Sequence, residues 1–315
     1  MFRTILTAAS LSAVALLSSC GSQPQQAREQ SAPPKADAQA SVADVASLAG
    51  RSRLVDLTVL ISETLPSSSV GFPPFQRWSL NWYEAKRNDY GSVFAPSVAP
   101  YYYQRYILDE HMGTQVDFPA HFIPPPDSQL PNAGPNGALT GDKYPLERLM
   151  GPAAVIDVTA LRDQGENGKS AVITVDLVKE WETRNGEIQA GDVVLFYSGY
   201  TNAYYKPFPE GKRLTAAPIA EKSTPGWPAP EPAMMAYLQQ KGVWHLGIDS
   251  PSMGHTEEGI ANHIAGLKLG LSFTEMLINL DQLPARGAYY QVLPPKIVDQ
   301  GGATARAIAF APLEP

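Results

Sequence analysis

Between His111 and His121 the chain concentrates side chains able to do chemistry. The stretch His111-Met112-Gly113-Thr114-Gln115-Val116-Asp117-Phe118-Pro119-Ala120-His121 holds two of the five histidines, an aspartate and a carboxamide. Two imidazoles, a carboxylate and an amide oxygen are the N and O donors that a divalent cation of the Zn/Mn class takes, and a spare imidazole can shuttle a proton. The same residues can also be read as an ordinary polar loop. In one flat strand His111 and Asp117 would stand roughly 20 Å apart. In a straight helix His111 and Gln115 share a face, but Asp117 projects about 120° away and Pro119 breaks the ladder. Ligation therefore requires a bend inside the stretch, and Gly113 is the residue that tolerates one.

The flanking pattern supplies elements to hold this stretch. Alternation over Leu54–Ile61 predicts a strand, and Arg105–Glu110 reads as a strand delivering the motif at its end. Short apolar runs at Ala153–Thr159 and Asp192–Ser198 have the character of buried strands. Between them an amphipathic helix starts at Thr174 and closes at Asn185-Gly186. A second helix, Pro232–Gln240, starts after prolines and stops at Gly242, and Val243–Ser252 reads as strand and turn. With 29 prolines and 25 glycines the chain also carries long loops, among them 124–144 and 201–230. Patterning alone thus gives α/β with long loops. The aromatics from Phe72 to Tyr103 follow no helical period; most belong to core or a dimer interface, and some can line a pocket for a flat substrate. His245, inside an apolar strand, reads as a satisfied core residue, and His255 as a loop residue near the site. Ser252 lacks the surroundings of a nucleophile elbow.

Residues 1–19 carry one basic residue, Arg3, and an apolar run too short to span a bilayer, which indicates an export signal. The single cysteine, Cys20, falls where a bacterial lipoprotein box would place it, so cleavage before Cys20 and its acylation are expected, with Gly21 pointing to the periplasmic face of the outer membrane. A lipidated Cys20 leaves no thiol for a disulfide or a metal. Residues 20–50, rich in Gln, Ala, Ser and Pro, read as a disordered tether, and residues 51–315 as one domain. The net charge of -7, without Lys/Arg clusters, argues against nucleic-acid binding.

The motif resembles the signature H-x-G-T-H-x-D-x-P-x-H of the cyclase family of metal-dependent hydrolases, which includes bacterial kynurenine formamidase and isatin hydrolase. It departs only at Gln115, where the family usually has histidine. The resemblance extends to Asp56-Leu57-Thr58, to Gly247-x-Asp249-x-x-Ser252, and to His263 followed by Glu275, and it spans about Leu54 to Phe310. It implies a mixed β-sheet or barrel-like core with flanking helices, the swivelling α/β fold of the family, in a homodimer or larger assembly. Carried over by position, His111, Gln115 and Asp117 would bind one metal ion, Asp117 with His263 and Glu275 a second, and His121 would act as catalytic acid/base. One or two Mn²⁺ or Zn²⁺ ions per chain are implied, with the oxygen-richer set favouring Mn²⁺. The implied reaction is attack of a metal-activated water on an amide or ester carbonyl of a small-molecule substrate. An export signal argues against a cytosolic tryptophan catabolite and for a cyclic amide, imide, lactone or aryl amide met outside the cytoplasm. The alternative is a catalytically degenerate, substrate-binding lipoprotein of the same fold.

Overall fold

The computed structural model describes Ser47, residues 50–83 and residues 97–313. The export signal, Cys20, nearly all of the tether, and Tyr90 and Phe94 of the aromatic segment lie outside the described residues. Residues 45–315 form one compact unit.

Nine strands make one mixed sheet, in the order β1 (Ser52–Asp56), β14 (Arg306–Pro312), β12 (Tyr289–Leu293), β6 (Met150–Asp157), β8 (Val193–Tyr197), β10 (His245–Ile248), β11 (Ser272–Glu275), β5 (Gln115–Asp117), β13 (Gly302–Thr304). Its middle, β6-β8-β10-β11, is parallel, and antiparallel pairs flank it on both sides. A topological constraint curls it. Only Ala305 separates β13, at one edge, from β14, one strand in from the other. A flat sheet cannot bring those two positions together, so the sheet bends into a half-barrel. Thr58 closes the bend by bridging to Leu277 just after β11.

Both faces of the parallel strands are buried, which explains their continuous apolar runs. Period-2 alternation divides them: Val155 and Leu195 join a cluster with Val116, Leu277 and Tyr290. Ala154, Ile156, Val194 and Phe196 join another, which the helices cover with Val178, Trp181, Met235 and Leu238. Helix Val175–Asn185 has the expected ends, with Thr174 accepting from the Leu177 amide and Gly186 at φ +85°. Helix Ala233–Gln240 likewise ends before Gly242, also at φ +85°.

Two expected strands change. The strand expected over Leu54–Ile61 ends at Asp56, whose Oδ1 accepts the Thr58 amide and turns the chain toward β11. The strand before the motif is β4 (Tyr103–Ile107), which pairs with β2 (Gln76–Trp82) in a separate sheet with β3 (Ser97–Val98); the motif's own strand in the main sheet is β5. After Leu293 two prolines end β12, and residues 294–301 are irregular.

His245 is the core residue its strand implied. Fully buried on β10, it lies with Nδ1 2.7 Å from Ser272 Oγ and Nε2 2.7 Å from Thr274 Oγ1. Burial pushes its pKa down to about 3. The unfolded chain, at about 6.5, takes a proton first. The stability this histidine contributes is therefore complete above about pH 6.5 and is lost as pH falls toward 3, by up to about 1.4 kcal/mol per pH unit. In His245→Asn the acid-side slope of stability, from urea titrations between pH 6 and 4, should be shallower than in the parent by close to one proton; parallel curves would show that His245 is not buried in its neutral form.

Candidate functional site

The bend required of the motif occurs at Gly113, at φ +66°. It lets the chain leave a turn at His111 and enter the sheet as β5. Thr114 pins the turn by donating from Oγ1 to the Met276 carbonyl (2.7 Å) and accepting from the Val59 amide (3.0 Å). Alternation on β5 sends Val116 into the core and puts Gln115 and Asp117 on the other face. Register then chooses their neighbours: Gln115 stands opposite Glu275 on β11, and Asp117 opposite Gly302 on β13. A side chain at 302 would overlap the His111 ring, so the glycine there is the floor on which that imidazole rests. Pro119 starts a single helical turn that carries His121 back over Asp117. His263 arrives from helix Ile260–Leu267.

These elements bring all six expected residues together. Asp117, 1 % exposed, is the hub. His111 Nε2 lies 3.4 Å from its Oδ1, and His263 Nε2 and His121 Nε2 lie 3.3 and 4.0 Å from its Oδ2. His263 Nε2 is also 3.2 Å from Glu275 Oε1, which accepts the Met253 amide at 2.6 Å. The His263 Nδ1–H donates to the Gly259 carbonyl (2.7 Å), which fixes the ring so that Nε2 faces the two carboxylates. Gln115 Nε2 donates to Glu275 Oε2 at 2.9 Å. The rings of His111 and His121 stack at 4.1 Å, and Phe122 stacks on His263 at 4.6 Å.

Charge dominates this centre. Burial works to raise the Asp117 pKa, but the imidazoles of His111 and His263 outweigh it and hold the carboxyl well below its usual range. Burial and the Asp117 charge push Glu275 up. Burial opposes protonation of His263, yet Asp117 and Glu275 push it up to about 10. His121 goes the other way: burial, helped by His111 and His263, brings it down to about 4 against the pull of Asp117. His121 is thus a neutral base at ordinary pH beside a highly polar cluster.

Four buried side-chain atoms here have no hydrogen-bond partner: His111 Nε2, Gln115 Oε1, and both oxygens of Asp117. Buried polar atoms are normally satisfied, and orphans that converge on one point call for a cation. His111, Asp117 and His121, and separately Asp117, His263 and Glu275, each offer donor atoms within 4.8 Å of one another. The residues therefore fit a divalent metal.

A cavity of about 270 Å³ opens onto these groups. Phe72, Phe122, Ile219, Trp227 and Ile260 form apolar walls, with Ser252 and His255 on the rim. Among the described residues of the aromatic segment only Phe72 reaches the cavity; Trp78, Tyr103 and Tyr106 are exposed on the small sheet. Sequence reasoning missed Phe122, Ile219 and Ser68, whose hydroxyl donates to the His111 carbonyl (2.5 Å). Only Phe122 carried a signal, since it follows His121. A larger, more open depression beside Arg53, Asp281 and Arg286 holds none of the orphaned acceptors.

The contact between Gly302 and His111 gives a direct test. Gly302→Ala, which fits the backbone, should displace the His111 ring and weaken divalent-cation binding about 10–100-fold in calorimetry, with Tm nearly unchanged. Unaltered affinity would show that His111 does not contribute to cation binding.

Comparison with known proteins agrees with this geometry. The sequence profile described as "Putative cyclase" matches residues 55–255, more than half of the chain. An isatin hydrolase of Roseibium aggregatum is 30% identical over 211 residues, which cover 65% of this chain and 73% of that protein. In fold, the chain resembles the crystal structure of an isatin hydrolase bound to the product analogue thioisatinate, with TM-score 0.69, 22% identity, and 88% and 99% of the two chains covered. It also resembles isatin hydrolase A from Ralstonia solanacearum (TM-score 0.67, 24% identity, 89% and 100% covered). A structure described as a potential metal-dependent hydrolase with cyclase activity aligns at TM-score 0.54, with 22% identity and 84% and 99% covered. With its profile match, its relative and its curled sheet in accord, the chain belongs to the cyclase family of metal-dependent hydrolases.

Proposed function

We propose that the protein hydrolyses a C–N bond in a small, flat cyclic amide or imide, or an aryl amide, with lactones as close analogues, and that it does so outside the cytoplasm. The observation that carries this reading is the presence of four unpartnered buried polar atoms beside a neutral histidine at the floor of a largely apolar cavity. His111, Gln115, Asp117, His263 and Glu275 would hold the cation. A divalent cation bound there supplies Lewis acidity, which lowers the pKa of a water toward 7 and polarises a carbonyl. Mn²⁺ suits the mixed oxygen and imidazole donors better than Zn²⁺.

The chain's own groups do the rest. His121, unprotonated and partly open to the cavity, accepts the proton of the attacking water at Nε2 and returns it to the leaving nitrogen. The Asp117 carboxylate stabilises the imidazolium that forms in between. Phe72, Phe122 and Trp227 exclude water and offer faces to a planar ring. The isatin hydrolase relatives support a fused lactam as the first substrate to try.

The test is elemental analysis of the full-length chain purified without chelator, with hydrolysis of isatin and N-formylkynurenine measured with and without added Mn²⁺ or Zn²⁺. Metal-dependent turnover is expected, and His121→Gln should lower kcat about 10²–10⁴-fold with metal content unchanged. Bound metal without turnover of any amide or lactone would favour the substrate-binding reading.

For location, the lipoprotein box at Cys20 supports an anchored protein on the periplasmic face of the outer membrane, and the exposed Trp78, Tyr103, Tyr106 and Ile107 support a homodimer. Cys20→Ser should move the protein from the membrane to the soluble fraction, where gel filtration should give a dimer. Retention in membranes would refute the anchor, and a monomer would refute the dimer.

A further inference from the structure

Asp117 is shared by two donor sets of different make-up. One is His111 Nε2, Gln115 Oε1 and Asp117 Oδ1; the other is Asp117 Oδ2, His263 Nε2 and Glu275 Oε1. We propose that the two sets form an unequal pair of cation sites, in which the Asp117–His263–Glu275 set loads first and tightly and the His111–Gln115–Asp117 set loads second and weakly. This rests on the metal-dependent reading of the site.

One observation admits an ion to both sets, and two rank them. The first is spacing. Donors about 2.0–2.2 Å from one ion lie about 3.0–3.5 Å from each other. His263 Nε2 stands 3.3 Å from Asp117 Oδ2 and 3.2 Å from Glu275 Oε1, and His111 Nε2 stands 3.4 Å from Asp117 Oδ1, so both sets have donors at ligand spacing.

The second is charge. The Glu275 set contains two carboxylates, whereas the Gln115 set has only the shared Asp117 and a neutral carbonyl oxygen. In a site this buried, one more carboxylate near a dication is a large Coulomb difference.

The third is how firmly each ligand is aimed. The His263 Nδ1–H is fixed on the Gly259 carbonyl, and Glu275 is held by the Met253 amide and the Gln115 carboxamide. Such outer contacts orient a ligand and raise its affinity. His111 lacks one at Nδ1, where the nearest carboxylate oxygens, on Glu110 and Asp109, stand at 3.9 and 4.0 Å, beyond hydrogen-bond range.

Gln115 connects the two sets. Its NH₂ is committed to Glu275 Oε2, so the residue orients the tight set with its nitrogen and offers its oxygen to the weak one. An imidazole at 115 would be a stronger donor to the second ion.

The experiment is equilibrium dialysis of the chelator-stripped full-length protein against graded Mn²⁺, with bound metal counted by elemental analysis. Two steps are expected, the first at least about 100-fold tighter than the second. Gln115→His should draw the second step to within about tenfold of the first. Glu275→Gln should abolish the tight step, and its Tm and circular dichroism report folding independently. Two ions of equal affinity, a single step up to millimolar Mn²⁺, or a second step unmoved by Gln115→His would each overturn the proposal. With metal-dependent turnover intact, those outcomes leave the hydrolase reading standing. If neither the parent nor any variant binds an ion, both fall.

Discussion

The buried charge on Asp117 is the constraint around which the rest of the molecule is arranged. A carboxylate taken out of water costs several kcal/mol unless it is paired and hydrogen-bonded. The chain contains a second, equally buried aspartate for comparison. Asp249 accepts the amides of Ser198 and Gly199 and the Ser198 hydroxyl, and it clamps the turn after β8. Burial pushes its pKa up to about 7 in spite of those bonds. Asp117 has no such donor on either oxygen and is surrounded by three imidazoles. The first arrangement serves the fold. The second leaves both carboxylate oxygens without a hydrogen bond and open to a cation, while His111 and His263 offset the cost of burying the charge.

Sheet topology is what makes the arrangement possible. β5 has three residues, yet it lies between β11 and β13, and each neighbour contributes to the site: Glu275 from one side, and from the other the glycine that admits His111. A one-residue slip of β5 would send Gln115 and Asp117 into the core and turn Val116 toward the cavity. The core prevents this, because Val116 packs among Leu277, Ala303 and Ala307. The curl of the sheet matters equally. It draws the segment after β1 against the turn at Thr114, and Thr114 in turn fixes how the chain enters β5.

Much of this was legible in the sequence, for identifiable reasons. A bend at Gly113 follows from the spacing of His111 and Asp117, and the caps of helix Val175–Asn185 follow from Thr174 and Gly186. The buried strands β6 and β8 announced themselves as apolar runs. β5 did not, because three residues are too few to show a period. The strand expected through Ile61 stopped at Asp56 because that side chain caps the Thr58 amide, a local bond that competes with the ladder. His263 and Glu275 stood out only by resemblance: nothing in local pattern says that a helix 146 residues beyond Asp117 returns to it. Phe72 meets Ile219 and Trp227 of the long 201–230 segment at the cavity, and single apolar residues in such segments carry no directional signal.

The cavity wall shows how such loops can serve a precise site. Gly254–Gly259, which connects β10 to the helix bearing His263, is secured by polar contacts along its length. The Gly254 carbonyl accepts from Trp227 Nε1 (2.8 Å), and the Thr256 amide donates to Ser170 Oγ (2.9 Å). The Ser170 amide donates to Glu257 Oε2 (2.9 Å), and His255 Nε2 lies 3.0 Å from the Pro230 carbonyl. Asn262, one residue before His263, donates to the carbonyls of Met253 and Pro230. These bonds tie the wall to the 170 and 230 segments and to the helix that carries His263 at once. A wall so fixed cannot mould itself to a substrate, so selection falls to the shape of the space between Phe72, Phe122 and Trp227. Because the Gly259 carbonyl ends this loop and also orients the His263 ring, strain in the wall would disturb the nitrogen that faces Asp117 and Glu275 as well. Substrate fit and the integrity of the charged centre are thus coupled through one carbonyl group.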